Sequence, residues 1–278
     1  MIDPILLSVG SGAAGAFANQ VASLASSWLR ERFSGHTDKA YSAARANSEA
    51  FLINLSNRLQ MLEDSGDTEA SFSKKLNEAM ESPDVAAALQ DALYSSARTN
   101  DSQKHDLLSR AITERMLADG DGLQALATNQ ALSVIPRLHT RHLDNLGLAT
   151  LLYGVRPNLP RDSMANVVES LMGIWLEKNV SLYLPIAAMN NMDAQHLVAN
   201  GCLIYQRNFS KNLRKILAPD WFDDFVWTDS GFFDSDVGKT VLEVWGQFAT
   251  HCDLTSVGHI IGIYVHDSKS RIRTNIDW

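Results

Sequence analysis

Four short runs in this chain carry residue types that could handle phosphate or a metal ion. Gly10-Ser-Gly12-Ala-Ala-Gly15 matches G-x-G-x-x-G. Glycines at that spacing permit a tight turn whose backbone N–H groups approach a pyrophosphate. Ile5–Val9 before it could be the strand such a site needs. The confirming sign is a second apolar strand ending in Asp or Glu about 20 residues on. The chain there reads Trp28-Leu-Arg-Glu-Arg-Phe33 and then Ser-Gly-His-Thr-Asp-Lys, with no apolar strand. A nucleotide-binding enzyme working through Gly10–Gly15 stays as one alternative. Gly238-Lys239-Thr240 looks like the end of a phosphate loop, but the position that needs the first glycine is Phe233. Asp234-x-Asp236-x-Gly238 begins like a calcium loop, yet its twelfth position is Trp245 and not Glu. His251, Cys252, Asp253 and His259 could offer N, S and O ligands to zinc, without a recognised spacing. G-x-S-x-G, H-E-x-x-H and paired Cys/His catalytic signatures are absent from the sequence. The expectation is no catalytic residue, no metal and no cofactor, with Asp236 capping a helix that runs through Val241, Leu242, Val244, Trp245 and Phe248.

Composition narrows the classes further. Of 278 residues, 45% are hydrophobic and 20% charged, so a packed core is feasible. Length suggests one large domain or two small ones. Twenty-four Lys+Arg against 32 Asp+Glu give a net charge of −8, which argues against coating nucleic acid. Cys202 and Cys252 are too few for a disulfide framework and fit a reducing, cytoplasmic setting.

Charge is unevenly spread. Residues 4–29 hold none, a length sufficient to cross a roughly 30 Å hydrocarbon layer as a helix. The segment is rich in small residues: Gly10, Ala14, Ala18, Ala22 and Ser26 recur every fourth position and form one ridge. Such a ridge lets two backbones approach closely. Three readings follow: a buried or self-associating helix, a membrane-active helix, or the phosphate-binding turn. The first makes Gly10, Ala14, Ala18 and Ala22 an association ridge for a homo-oligomer. The second makes residues 4–29 a membrane contact.

From residue 38 the 3-4 spacing of apolar side chains predicts helix after helix. The first spans about Asp38–Glu63 and carries Phe51, Leu55 and Leu62. A second covers roughly Glu69–Met80, and Pro83 opens the next. Leu107, Leu108, Ala111 and Ile112 mark another. Leu123, Leu126, Ala127, Ala131, Val134 and Ile135 mark one that stops at Pro136. Strand-type alternation is nearly absent. The fold class is therefore all-α, a multi-helix bundle with a Gly/Ala-rich N-terminal helix. Pro157-Asn-Leu-Pro160 is the best boundary, dividing the chain into residues 1–34, a helical domain 35–157 and a second helical part 158–278. In the last part Met164, Val167, Val168, Leu171, Met172 and Trp175 read as a core helix.

Several stretches look familiar together. They are Tyr94-Ser-Ser-Ala-Arg98 through Ile112-Thr-Glu-Arg-Met116, Asn129-Gln-Ala-Leu-Ser-Val-Ile-Pro-Arg-Leu138, and Leu143-Asp-Asn-Leu-Gly-Leu-Ala149. Their pattern resembles helical bacterial proteins of the Abi-alpha (abortive-infection) type and their uncharacterised relatives. The resemblance covers about half of the chain. It implies a helical fold and a role in phage defence as an interaction or membrane-associated component, and it carries over no catalytic residue. Asp253-Leu-Thr-Ser-Val-Gly-His-Ile-Ile-Gly262 resembles the "L-T-x-x-G" start of the final helix in such proteins. Winged-helix domains share that pattern. A small winged-helix-like C-terminal part is therefore a second alternative: a nucleic-acid-binding regulator using the Leu254–Ile263 helix and the basic tract Lys269-Ser-Arg-Ile-Arg273.

Residues 216–238 are the other local extreme. Six aspartates and no Lys or Arg alternate with Trp221, Phe222, Phe225, Trp227, Phe232 and Phe233. Exposed rings beside acidic groups would suit a basic or apolar protein partner. The competing reading pins the rings to the core with aspartates outside. The expectation taken forward is a non-enzymatic helical protein acting through self-association or a protein or membrane partner.

Overall fold

The structure, a computed structural model, describes residues 12–33, 35–65, 69–118, 122–161, 163–206, 210–222, 225–228, 231–247 and 249–274. The protein is an all-α multi-helix bundle, with one two-stranded sheet among the described residues. It divides into two compact units, one within Met1–Arg137 and one within Leu138–Asp277. The division falls before Pro157.

The first unit holds α1 (Ala13–Phe33), α2 (Asp38–Ser65), α3 (Glu69–Glu81), α4 (Pro83–Ala97), α5 (Ser102–Leu117) and α6 (Leu123–Val134), with a single 3-10 turn at Ile135–Arg137. Its centre is α2, packed on α1, α4 and α5, with Phe51, Leu52, Leu55 and Leu59 buried at the helical spacing. Pro83 sits in the first turn of α4, where its missing N–H costs nothing. Asp101 caps α5 by accepting from the N–H groups of Gln103 and Lys104. Buried Arg115 of α5 donates to Asp84 at the start of α4 and to Asn129 of α6, which ties three helices together. The bond from Asn129, then those from Arg115, hold the Asp84 carboxyl below its usual range. On α6 the small residues Ala125, Ala127 and Ala131 are inside, whereas Leu123 and Leu126 are exposed. The expected apolar face of that helix is thus buried from Ala127 on, and Leu123 and Leu126 fall outside it.

The second unit holds α7 (Thr140–Gly154), α8 (Ala165–Val180), a 3-10 turn at Ser181–Tyr183, α9 (Asn191–Ala199), β1 (Leu203–Tyr205), α10 (Leu213–Ile216), a 3-10 turn at Phe232–Asp234, α11 (Asp236–Gln247), β2 (Cys252–Leu254) and α12 (Ser256–Ser270). Strands β1 and β2 pair antiparallel, with Ile204 opposite Asp253. Its core is the α7–α12 pair. At Gly262 a Cβ would fall 1.9 Å from Thr150 Oγ1 and 2.5 Å from the Leu146 carbonyl oxygen, so only glycine allows this approach. Gly258, one turn earlier, faces the Cys202 carbonyl equally tightly. This packing is why α7 belongs with the second unit. Ser235, not Asp236, caps α11: its hydroxyl accepts from the Gly238 N–H at 3.0 Å.

Candidate functional site

The small-residue ridge is used inside the chain. Ala14, Ala18 and Ala22 are buried where α1 meets α2 and α3. Gly10 lies outside the described residues. Small side chains here bring α1 close to its own neighbours, so Ala14, Ala18 and Ala22 offer no free surface to a second copy. The start of α1 is also occupied. The Glu63 carboxylate of α2 accepts from the Ala13 and Ala14 N–H groups at 2.8 and 3.2 Å, and it sits where a Cβ on Gly12 would be. Helix N-termini attract anions, and here the anion is a side chain of the protein. That removes the phosphate-binding reading of Gly10–Gly15 as far as its described residues go. Among the described residues, no helix is long and apolar enough to cross a membrane.

The acidic aromatic stretch is likewise turned inward. Phe225, Trp227, Phe232 and Phe233 are buried, while Trp221 and Phe222 are half-buried. The six rings form a chain of mostly edge-on contacts with centroids 5.1–5.8 Å apart, a geometry favoured by the ring quadrupoles. Trp227 Nε1 donates to the Arg214 carbonyl at 2.9 Å, and the Arg214 guanidinium lies over Phe233. Buried Glu169 of α8 accepts from the N–H and the hydroxyl of Thr228 at 2.7 Å each. The expectation of an exposed partner-binding set is corrected: these rings anchor the segment to the core of the second unit.

The helix proposed to enter a nucleic-acid groove is a core helix. On α12, Val257, Gly258 and every residue from Ile260 to Asp267 are buried, so no face is free to reach base edges. Lys269 of the basic tract pairs with Asp144 at 3.1 Å. The zinc reading also dissolves. Asp253 is engaged by Lys211 and Gln206, His259 packs on Gly154, and burial pushes the Cys252 thiol above its usual range. Among the described residues no group of three or more His, Cys, Asp or Glu could hold a metal ion. Lys239 of the Gly-Lys-Thr run pairs with Asp234 at 3.0 Å.

Two arrangements were invisible in the sequence. The first joins α7 to α9. His142 Nδ1 accepts from the His139 N–H at 3.2 Å, so Nε2 carries the proton to Asp193 at 2.9 Å. Arg141 also donates to Asp193. Burial holds His142 below the ordinary imidazole range. Burial opposes ionisation of Asp193, yet the Asn190 N–H and His142 hold its carboxyl below the usual range. Asp193 also closes the capping box of α9 with Asn190. With both faces of the pair consumed by caps, it is a bolt between helices. Sequence separation hides it.

The second is on α8. Val168, Met172, Leu176 and Val180 are fully buried, as a core helix requires. Met164, Val167, Leu171 and Ile174 are exposed, with Met164 at 71% and Ile174 at 63%. The 3-4 spacing places Val167, Leu171 and Ile174 on one stripe of the helix, with Met164 preceding it as the N-cap and Lys178 continuing it one turn later. The expected core helix is therefore half core and half uncovered. Four exposed apolar side chains along one stripe go beyond the scattered single residues that are ordinary on a protein surface. Trp175 is half-buried at its margin.

A family model whose description names no activity ("-like") matches residues 15–225, more than half of the chain. No curated protein and no solved structure matches the chain.

Proposed function

We propose, for a chain that belongs to the family matched over residues 15–225, a function in protein association and not in chemistry on a small molecule. The stripe Met164, Val167, Leu171 and Ile174 on the outer face of α8 carries this reading. A second copy of the chain is the occupant that uses the stripe most economically. A two-fold antiparallel pairing sets Met164 beside the partner's Ile174 and Val167 beside the partner's Leu171, so one patch serves both sides. Apolar residues at this spacing are what paired helices interdigitate. The resemblance of residues 94–149 to abortive-infection proteins supplies the setting: phage defence in the bacterial cytoplasm, with assembly as the active state.

Bacteria expressing the full chain are challenged with phage and plated. Leu171→Asp is expected to lose protection, because a carboxylate on the stripe cannot be desolvated in the pair. Met192→Asp, at a still more exposed apolar position on α9, is expected to keep it. Equal protection by wild type and Leu171→Asp overturns the reading.

A further inference from the structure

The first unit carries a cleft of about 490 Å³ where the C-terminal ends of α4 and α6 meet. That volume lies within the roughly 300–1,000 Å³ of small-molecule sites. Along α4 the cleft meets Asp91, then Tyr94 and Ser95, then Arg98. Successive positions are one helical turn apart, so Asp91 and Arg98 stand about 10 Å from each other. The opposite wall brings Ser133 and Arg137. Two guanidiniums against one carboxylate make this a locally cationic place on a chain of net charge −8.

Cations at helix C-termini often serve as caps, and at the end of α4 the capping is done by side chains other than Arg98. His105 Nε2 lies 3.2 Å from the Ser96 carbonyl oxygen and 2.8 Å from that of Thr99. Asn47 donates to the Ala97 carbonyl and Lys104 to that of Pro136. The Arg98 guanidinium lies 5.1 Å over the Tyr94 ring. Among the described residues no acceptor is bonded to it. Stacking pre-orients the planar fork, which suits it to bidentate capture of phosphate. Asp91, at the other end, can accept from hydroxyl groups and is useless to a bare phosphate.

We propose that the α4–α6 cleft binds a hydroxyl-bearing phosphate ester of nucleotide size. Its phosphate sits on Arg98 and Arg137, its body lies along Tyr94, and its hydroxyls reach Asp91. The site is separate from the α8 stripe, and ligand binding does not depend on association.

The test is calorimetric titration of the full chain with four probes: AMP, ribose 5-phosphate, inorganic phosphate and adenosine. AMP and ribose 5-phosphate separate a nucleotide from a sugar phosphate as the source. Binding of either one, with none for adenosine, is expected. Arg98→Ala and Arg137→Ala should each weaken it at least tenfold. Asp91→Asn should weaken the ester and leave inorganic phosphate unchanged. Leu171→Asp should bind as wild type does. Absence of binding by both esters at millimolar concentration overturns the proposal. So does binding that survives Arg98→Ala with Arg137→Ala, in variants whose helical circular dichroism matches wild type.

Discussion

Helices α8 and α12 are close to equal in length and both strongly apolar, yet α12 is enclosed and α8 is covered on one side only. The difference lies in the small residues. Gly258 and Gly262 let α12 sink against the Cys202 carbonyl and against α7, after which neighbours can close over its remaining faces. On α8 the single glycine, Gly173, sees only an ordinary contact with Phe232 at 3.5 Å. Its large side chains fill one interface and leave a second stripe uncovered. Apolar content alone does not decide burial. How closely a backbone can be approached does.

That contrast can be broken or sharpened by matched substitutions. Gly262→Ala puts a methyl group into Thr150 Oγ1 and the Leu146 carbonyl, so α7 and α12 must separate. The expected loss is about 3 kcal/mol, at the upper end of overpacking costs. Gly173→Ala has room for its methyl group and gains helix propensity, with an expected gain of about 0.5–1 kcal/mol. Chemical denaturation of the two variants should give opposite signs. If both destabilise alike, the glycine argument fails. Next in size is a matched pair of isoleucines. Ile261→Ala on α12 removes a fully buried side chain and should cost about 2–4 kcal/mol. Ile174→Ala on the α8 stripe should stay within about 0.5 kcal/mol in the isolated chain.

Acid provides a third separation. Burial holds His259 and His266 of α12, and His142 of α7, below the ordinary imidazole pKa. Once the pH drops below about 6.5, the unfolded chain binds protons that the folded chain refuses. Stability contributed by these groups is therefore present above that pH and is lost as pH falls. Melting temperature should drop by several degrees between pH 7.5 and 5.5. His259→Phe with His266→Phe should flatten the drop. An unchanged slope in that variant would mean that other groups carry it.

Much of the fold was legible because it rests on local periodicity. The starts at Asp38, Glu69 and Pro83 and the stop at Pro136 follow from helical spacing and proline geometry. The candidate surfaces were harder, since one signal has two meanings. A small-residue ridge describes both an intermolecular and an intramolecular close approach, and Ala14, Ala18 and Ala22 turn out to serve the second. Rings among aspartates describe both a docking surface and an anchored loop, and Phe225, Trp227, Phe232 and Phe233 serve the latter. The α8 stripe was hidden for the reverse reason: Met164, Val167 and Leu171 look like core by type. Only tertiary packing tells them from Val168 and Met172. The polar bolts, Arg115 with Asp84 and His142 with Asp193, pair residues too distant in sequence for any spacing rule to connect.

Self-association through α8 is the central claim, and sedimentation velocity of the full chain over a range of concentrations tests it directly. Wild type is expected to shift from monomer to dimer as concentration rises. Leu171→Asp should remain monomeric with an unchanged helical spectrum, and Met192→Asp should dimerise like wild type. A wild-type chain that sediments as a monomer throughout, or a Leu171→Asp chain that dimerises as wild type does, contradicts it.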